Sequence, residues 1–94
     1  DKPEGAFDWM AKAYCEKTGI TMEAYTDCPA VQFYAANFLN GEKGKNGAVY
    51  DERHAFCLES QYCPNAVNDT HFTQPFLKAG EKYDTKTVYR FLVK

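Results

Sequence analysis

The sequence is poor in the residues that name a reaction. Its 94 residues hold one serine, Ser60, and two histidines, His54 and His71. Ser60 has no G-x-S-x-G setting, which excludes the nucleophile elbow of a serine hydrolase. Lysine and arginine number 11 against 13 acidic residues, a net charge of −2. Phosphate contacts need clustered cations, so this balance argues against nucleic acid as the main partner. No apolar run approaches the roughly 20 residues of a membrane-spanning helix. Close cysteine pairs of the kind that hold structural zinc are absent, because Cys15, Cys28, Cys57 and Cys63 are separated by 12, 28 and 5 residues. A phosphate loop is absent too: Gly44-Lys45 is preceded by Leu39 where the first glycine belongs and followed by Asn46. The sequence therefore implies no metal and no cofactor.

What is present points outward from the cell. An even set of four cysteines in a chain under 100 residues reads as two disulfides of a secreted, extracellular domain spanning 1–94. A start at Asp1 without methionine fits a mature form whose leader has been removed. Asn68-Asp69-Thr70 matches the N-glycosylation acceptor, with Asn68 as the candidate site.

Periodicity predicts three helices. Phe7, Met10, Ala11 and Tyr14 recur at helical spacing over about 6–18, and Gly19 supplies a left-handed cap. A second helix, about 29–39, has Thr26 and Asp27 as N-caps, Pro29 in its first turn and Gly41 after its last apolar residue. A third, about 51–62, has Asp51 as N-cap, Ala55, Phe56, Leu58, Glu59 and Tyr62 at helical spacing, and Pro64 as its stop. Ile20 to Tyr25 alternates at period two, and the tail of about 85–93 has the β-branched and aromatic composition of a strand. The expected class is α+β: three helices and a small antiparallel sheet that includes the C-terminal strand. Helices two and three, joined by the 41–50 loop, would run antiparallel and bring Cys28 to Cys63. Cys15 is then left to pair with Cys57.

Chemistry is sparse. His54 and His71, with Glu52, could share proton transfer in a ribonuclease-like site, since imidazole titrates near neutral pH. Lys78, Lys82, Lys86, Arg90 and Lys94 recur at every fourth residue and give 78–94 a charge of +3 against −5 for 1–77. Fifteen aromatics are more than a small core hides, so Tyr50, Tyr83 and Tyr89 join Lys86 and Arg90 as candidate binding residues. In composition the chain resembles small cysteine-containing secreted proteins deployed against other organisms. That resemblance implies a non-catalytic, effector- or toxin-like protein that binds a partner protein or cell surface. The alternative is a small secreted hydrolase using the two histidines.

Overall fold

The computed structural model describes residues 2–93, and its regular structure is nearly all β. Strands β1 (Asp8–Tyr14), β2 (Ile20–Thr26) and β7 (Thr87–Val93) form an antiparallel sheet in the order β1-β2-β7. Strands β3 (Ala30–Tyr34) and β6 (Cys57–Gln61) form a second antiparallel pair, and β4 (Glu42–Lys43) with β5 (Val49–Tyr50) a small hairpin between them. The only helical pieces among the described residues are two short 3₁₀ turns, Lys45–Gly47 and Ala66–Asn68. The three expected helices do not form, and the class is β rather than α+β.

Each correction has a physical cause. In β1 the register slips between Trp9 and Ala11, so Met10 is the extra residue of a bulge. That insertion turns a period of two into the 3–4 spacing that reads as a helix face. Gly19 does adopt a left-handed φ of +71°, but in a hairpin: Cys15 N–H donates to the Ile20 carbonyl at 3.0 Å and Gly19 N–H to the Cys15 carbonyl at 2.8 Å. Thr26 and Asp27 do cap backbone donors, but between strands. Thr26 Oγ1 accepts from Cys28 N–H at 3.1 Å, and Asp27 Oδ1 accepts from Lys86 N–H at 3.0 Å. Over 30–34 the β-branched and aromatic Val31, Phe33 and Tyr34 favour strand, and a left-handed Ala36 (φ +56°) closes that run. In the third segment Arg53, at φ +64°, breaks any helix from Asp51 and sends its backbone N–H to the Ala36 carbonyl at 3.1 Å.

The disulfides do not form either. Cys15, Cys28, Cys57 and Cys63 are all free thiols, since the antiparallel helix pair that would bring them together does not exist. The two segments expected as strand, Ile20–Tyr25 from its alternation and the tail from its β-branched and aromatic composition, are strand. Those two segments pair with each other from Ile20↔Val93 to Thr26↔Thr87.

The buried core is thin. Ala24, Cys28, Ala36 and Ala66 are its apolar members, with Thr21 and Thr26 beside them. A hydroxyl chain substitutes for apolar packing where the two main sheets meet. Ser60 Oγ lies 2.7 Å from Thr87 Oγ1, which lies 3.1 Å from Thr26 Oγ1, which donates to the Lys86 carbonyl at 3.1 Å. Tyr89 adds a second tie, donating its hydroxyl to the Leu58 carbonyl at 2.6 Å.

Candidate functional site

Side chains alternate across a strand, so the β3–β6 pair has two unlike faces. Cross-strand register places Val31 with Ser60 and Phe33 with Leu58 on one face. That face meets the larger sheet, through Ser60 and Thr87. On the opposite face Ala30 stands beside Gln61, Gln32 beside Glu59 and Tyr34 beside Cys57. Two carboxamides and a carboxylate thus occupy adjacent positions on a hydrogen-bonded strand pair, with a tyrosine one rung away. The Glu59 side chain is exposed and makes no hydrogen bond or ion pair with any described residue. Strand Glu23, by contrast, takes the Tyr25 hydroxyl at 3.1 Å and faces Arg90 at 3.8 Å. Residues 57–59 border a shallow groove with Met22, Phe56, Tyr89 and Phe91 where the strand pair meets the larger sheet.

The residues singled out in the sequence are dispersed. His54 sits in the 51–54 turn, its Nδ1 accepting from Asp51 N–H at 3.2 Å. Glu52 beside it pairs with Arg53 at 3.4 Å, both exposed. His71 lies 2.9 Å from Asp69, whose carboxyl is held below its usual range by the His71 backbone N–H and then by its ring. His71 lines a cavity with Lys2, Pro29 and Cys63, from which His54 and Glu52 are absent. Lys86 lies over the Phe7 ring at 5.3 Å, and Arg90 faces Glu23. Tyr89 and Arg90 are successive residues of β7 and point to opposite faces of its sheet. Tyr50 belongs to the small hairpin, where its ring lies against Gly44, and Tyr83 stands near Cys28, with burial raising its hydroxyl pKa. Asn68 ends a 3₁₀ turn, exposed, its amide donating to Asn65 Oδ1 at 2.6 Å.

The helical reading of 51–62 hid the polar face, because it assigned Glu59 to a helical period. The signal that finds it is the alternation of Cys57, Glu59 and Gln61 with Leu58 and Ser60, matched by Gln32 between Val31 and Phe33.

Residues 2–90 match the aldose 1-epimerase family. The chain is 48% identical over 86 residues to galactose mutarotase of Homo sapiens, an overlap of 90% of this chain and 25% of that protein. The same figures hold for galactose mutarotase of Bos taurus. Aldose 1-epimerase of Escherichia coli (strain K12) is 36% identical over 75 residues, covering 78% of this chain and 22% of that protein. The chain thus spans about a quarter of the length of the relatives it matches. These relatives are enzymes named for sugars. They overturn the non-catalytic, effector- or toxin-like reading, its protein or cell-surface partner and the ribonuclease-like alternative.

Proposed function

Because the chain belongs to the aldose 1-epimerase family, we propose that the polar face of its β3–β6 pair contributes to aldose binding, with Glu59 as a proton-transfer group in the interconversion of anomers. Opening a cyclic hemiacetal requires a base to take the proton of the anomeric hydroxyl while an acid protonates the ring oxygen. Rotation about the bond from C1 to C2 and reclosure on the other face of the aldehyde complete the inversion, with the protons returned. A carboxylate is the base of choice on this face, and it stands on a strand, where its position is better fixed than on a loop. Gln61 offers a donor pair and an acceptor to sugar hydroxyls, and Gln32, whose Nε2 donates to the Phe33 carbonyl at 3.0 Å, offers its remaining N–H and its oxygen. Neither His54 nor His71 belongs to this strand pair, so the pair supplies one of the two proton-transfer groups.

The observation that carries this reading is Glu59 itself, a strand carboxylate with no partner among the described residues, flanked by two amides. The test places residues 2–90 in the human relative in place of its matching quarter and follows mutarotation of α-D-galactose by polarimetry. Glu59→Gln lowers kcat by about 10²–10⁴-fold, the usual worth of a general base. Glu52→Gln, on an exposed turn, leaves it within twofold. Equal rates for both variants would remove Glu59 from the chemistry.

A further inference from the structure

Asparagine stands directly before glycine at two places, Asn40-Gly41 just ahead of β4 and Asn46-Gly47 at the tip of the β4–β5 hairpin. Such a pair carries its own chemistry. With no side chain on the second residue to obstruct it, the glycine nitrogen can close on Cγ of the asparagine and expel ammonia. Both asparagines are exposed, and a Cβ added at either glycine would meet nothing within 4 Å, so neither access nor room separates the two. They differ in what holds the glycine. Gly41 N–H donates to Asp51 Oδ1 at 2.8 Å, a charge-assisted bond that must break before the nitrogen can turn to Asn40. The same carboxylate sets a negative charge beside a nitrogen that has to lose its proton. Gly47 instead ends the 3₁₀ turn Lys45–Gly47, which has no side-chain cap and carries the cation of Lys45.

Ring closure also turns the bond between Cα and the carbonyl carbon of Asn46, and little resists that turn. Asn46 is left-handed (φ +55°, ψ +35°), outside the helical range of its own turn. The hairpin around it is two rungs long, Glu42↔Tyr50 and Lys43↔Val49, and from Gly41 to Tyr50 every residue but Gly44 is exposed. A ladder so short and so wet opens readily. Left-handed backbone alone does not confer the reactivity. Asn65 has φ +58°, but the residue after it is Ala66, 2% exposed, whose N–H donates to the Cys63 carbonyl at 3.2 Å.

We propose that Asn46 is a site of spontaneous deamidation and that the fold shields Asn40 from the same reaction. The Gly47 nitrogen gives up its proton to solvent and bonds to Cγ of Asn46, the Cγ–Nδ2 bond breaks and ammonia leaves. Water then opens the five-membered imide at either carbonyl, giving aspartate or isoaspartate. Isoaspartate carries the main chain through the side chain, one methylene longer, and adds a carboxylate beside Lys45. The bonds that close the tip, Ala48 N–H to the Lys45 carbonyl at 3.0 Å and Gly44 N–H to the Ala48 carbonyl at 2.7 Å, are lost with it. Neither Asn46 nor Gly47 borders the groove at residues 57–59, so the modification is separate from the role of Glu59. In the test, the 94-residue chain is aged in mildly alkaline buffer with and without urea, digested in acid and read by mass spectrometry. Isoaspartate is counted independently by methyl transfer from labelled S-adenosylmethionine with an isoaspartyl methyltransferase. In the native protein Asn46 converts at least about tenfold faster than Asn40, the worth of one hydrogen bond to a carboxylate. In urea the gap closes, because only the fold distinguishes the two Asn-Gly pairs. Asp51→Ala raises the native rate at Asn40 severalfold and leaves that at Asn46 unchanged. Equal rates in the native protein, native protection of both asparagines, or a gap that survives urea or Asp51→Ala would overturn the proposal.

Discussion

Two threonines of β2 are equally buried, at 1% exposure each, and differ in one respect. Thr26 Oγ1 donates to the Lys86 carbonyl, accepts from Cys28 N–H and lies within reach of Thr87 Oγ1, each at 3.1 Å. Thr21 Oγ1 has no hydrogen-bond partner among the described residues. Valine is nearly isosteric with threonine and similar in strand preference, so replacing each isolates the hydroxyl. In Thr26→Val the Lys86 carbonyl still receives Asp27 N–H at 3.2 Å, but the buried Cys28 N–H loses its acceptor and the Ser60–Thr87 chain loses its end. Three hydrogen bonds at roughly 1 kcal/mol each put the loss near 3 kcal/mol. For a chain of this size that corresponds to a fall of roughly 12–24 °C in melting temperature. Thr21→Val instead removes a buried hydroxyl that nothing satisfies, and it leaves stability unchanged or raises it by up to about 1 kcal/mol. Urea unfolding followed by circular dichroism reads both. If the two variants fell within about 0.5 kcal/mol of each other, the hydroxyl chain would not be what joins the sheets.

Other outcomes follow from the same geometry. Ala36 is left-handed and 2% exposed, so Ala36→Val costs at least about 2 kcal/mol in a denaturant titration, whereas Ala36→Gly stays within about 0.5 kcal/mol. The Thr85 hydroxyl and then the Lys86 N–H hold the Asp27 carboxyl below its ordinary pKa. A depressed folded value contributes stability that is complete above the unfolded value, about 3.9, and is lost as the pH falls through the folded one. Asp27→Asn therefore flattens the acid limb of the stability profile, and an unchanged limb would show that the pairing is absent in solution. The unreduced, denatured protein titrates as four thiols; a count of two or none would reinstate the disulfides. In the native state Cys15, exposed and held below the usual thiol range chiefly by the Thr18 hydroxyl, alkylates first. Cys28, buried with its Sγ 3.2 Å from Thr85 Oγ1, alkylates last.

How far the fold could be read from the sequence depended on whether local pattern and tertiary role agreed. They agree at Ile20–Thr26, where alternation is uninterrupted, and at Thr87–Val93, rich in β-branched and aromatic residues; the two strands pair without a slip. They part at β1, where one bulged residue imitates a helix face, and at Thr26-Asp27-Cys28-Pro29, where cap chemistry is directed at Lys86, just ahead of β7 and some 60 residues away. Short apolar runs such as Val31–Leu39 fit strand or helix, and the deciding partner, Cys57–Gln61, is remote in sequence. Four cysteines imply disulfides only if the chain must be stapled. Here the strand ladders and the hydroxyl chain through Ser60, Thr87 and Thr26 tie the sheets instead. The candidate site was hidden for a related reason. Glu59 gains its meaning from Gln32 across the strand pair, and that juxtaposition exists only in the folded chain.

The role of Glu59 is tested by the initial rate of α-D-galactose mutarotation, read by polarimetry, for the human relative carrying residues 2–90 of this chain and for its Glu59→Gln variant. With Glu59 as the proton-transfer group, kcat falls at least about 100-fold in the variant while the fold is unchanged by circular dichroism. A variant that retains the rate within twofold would contradict it.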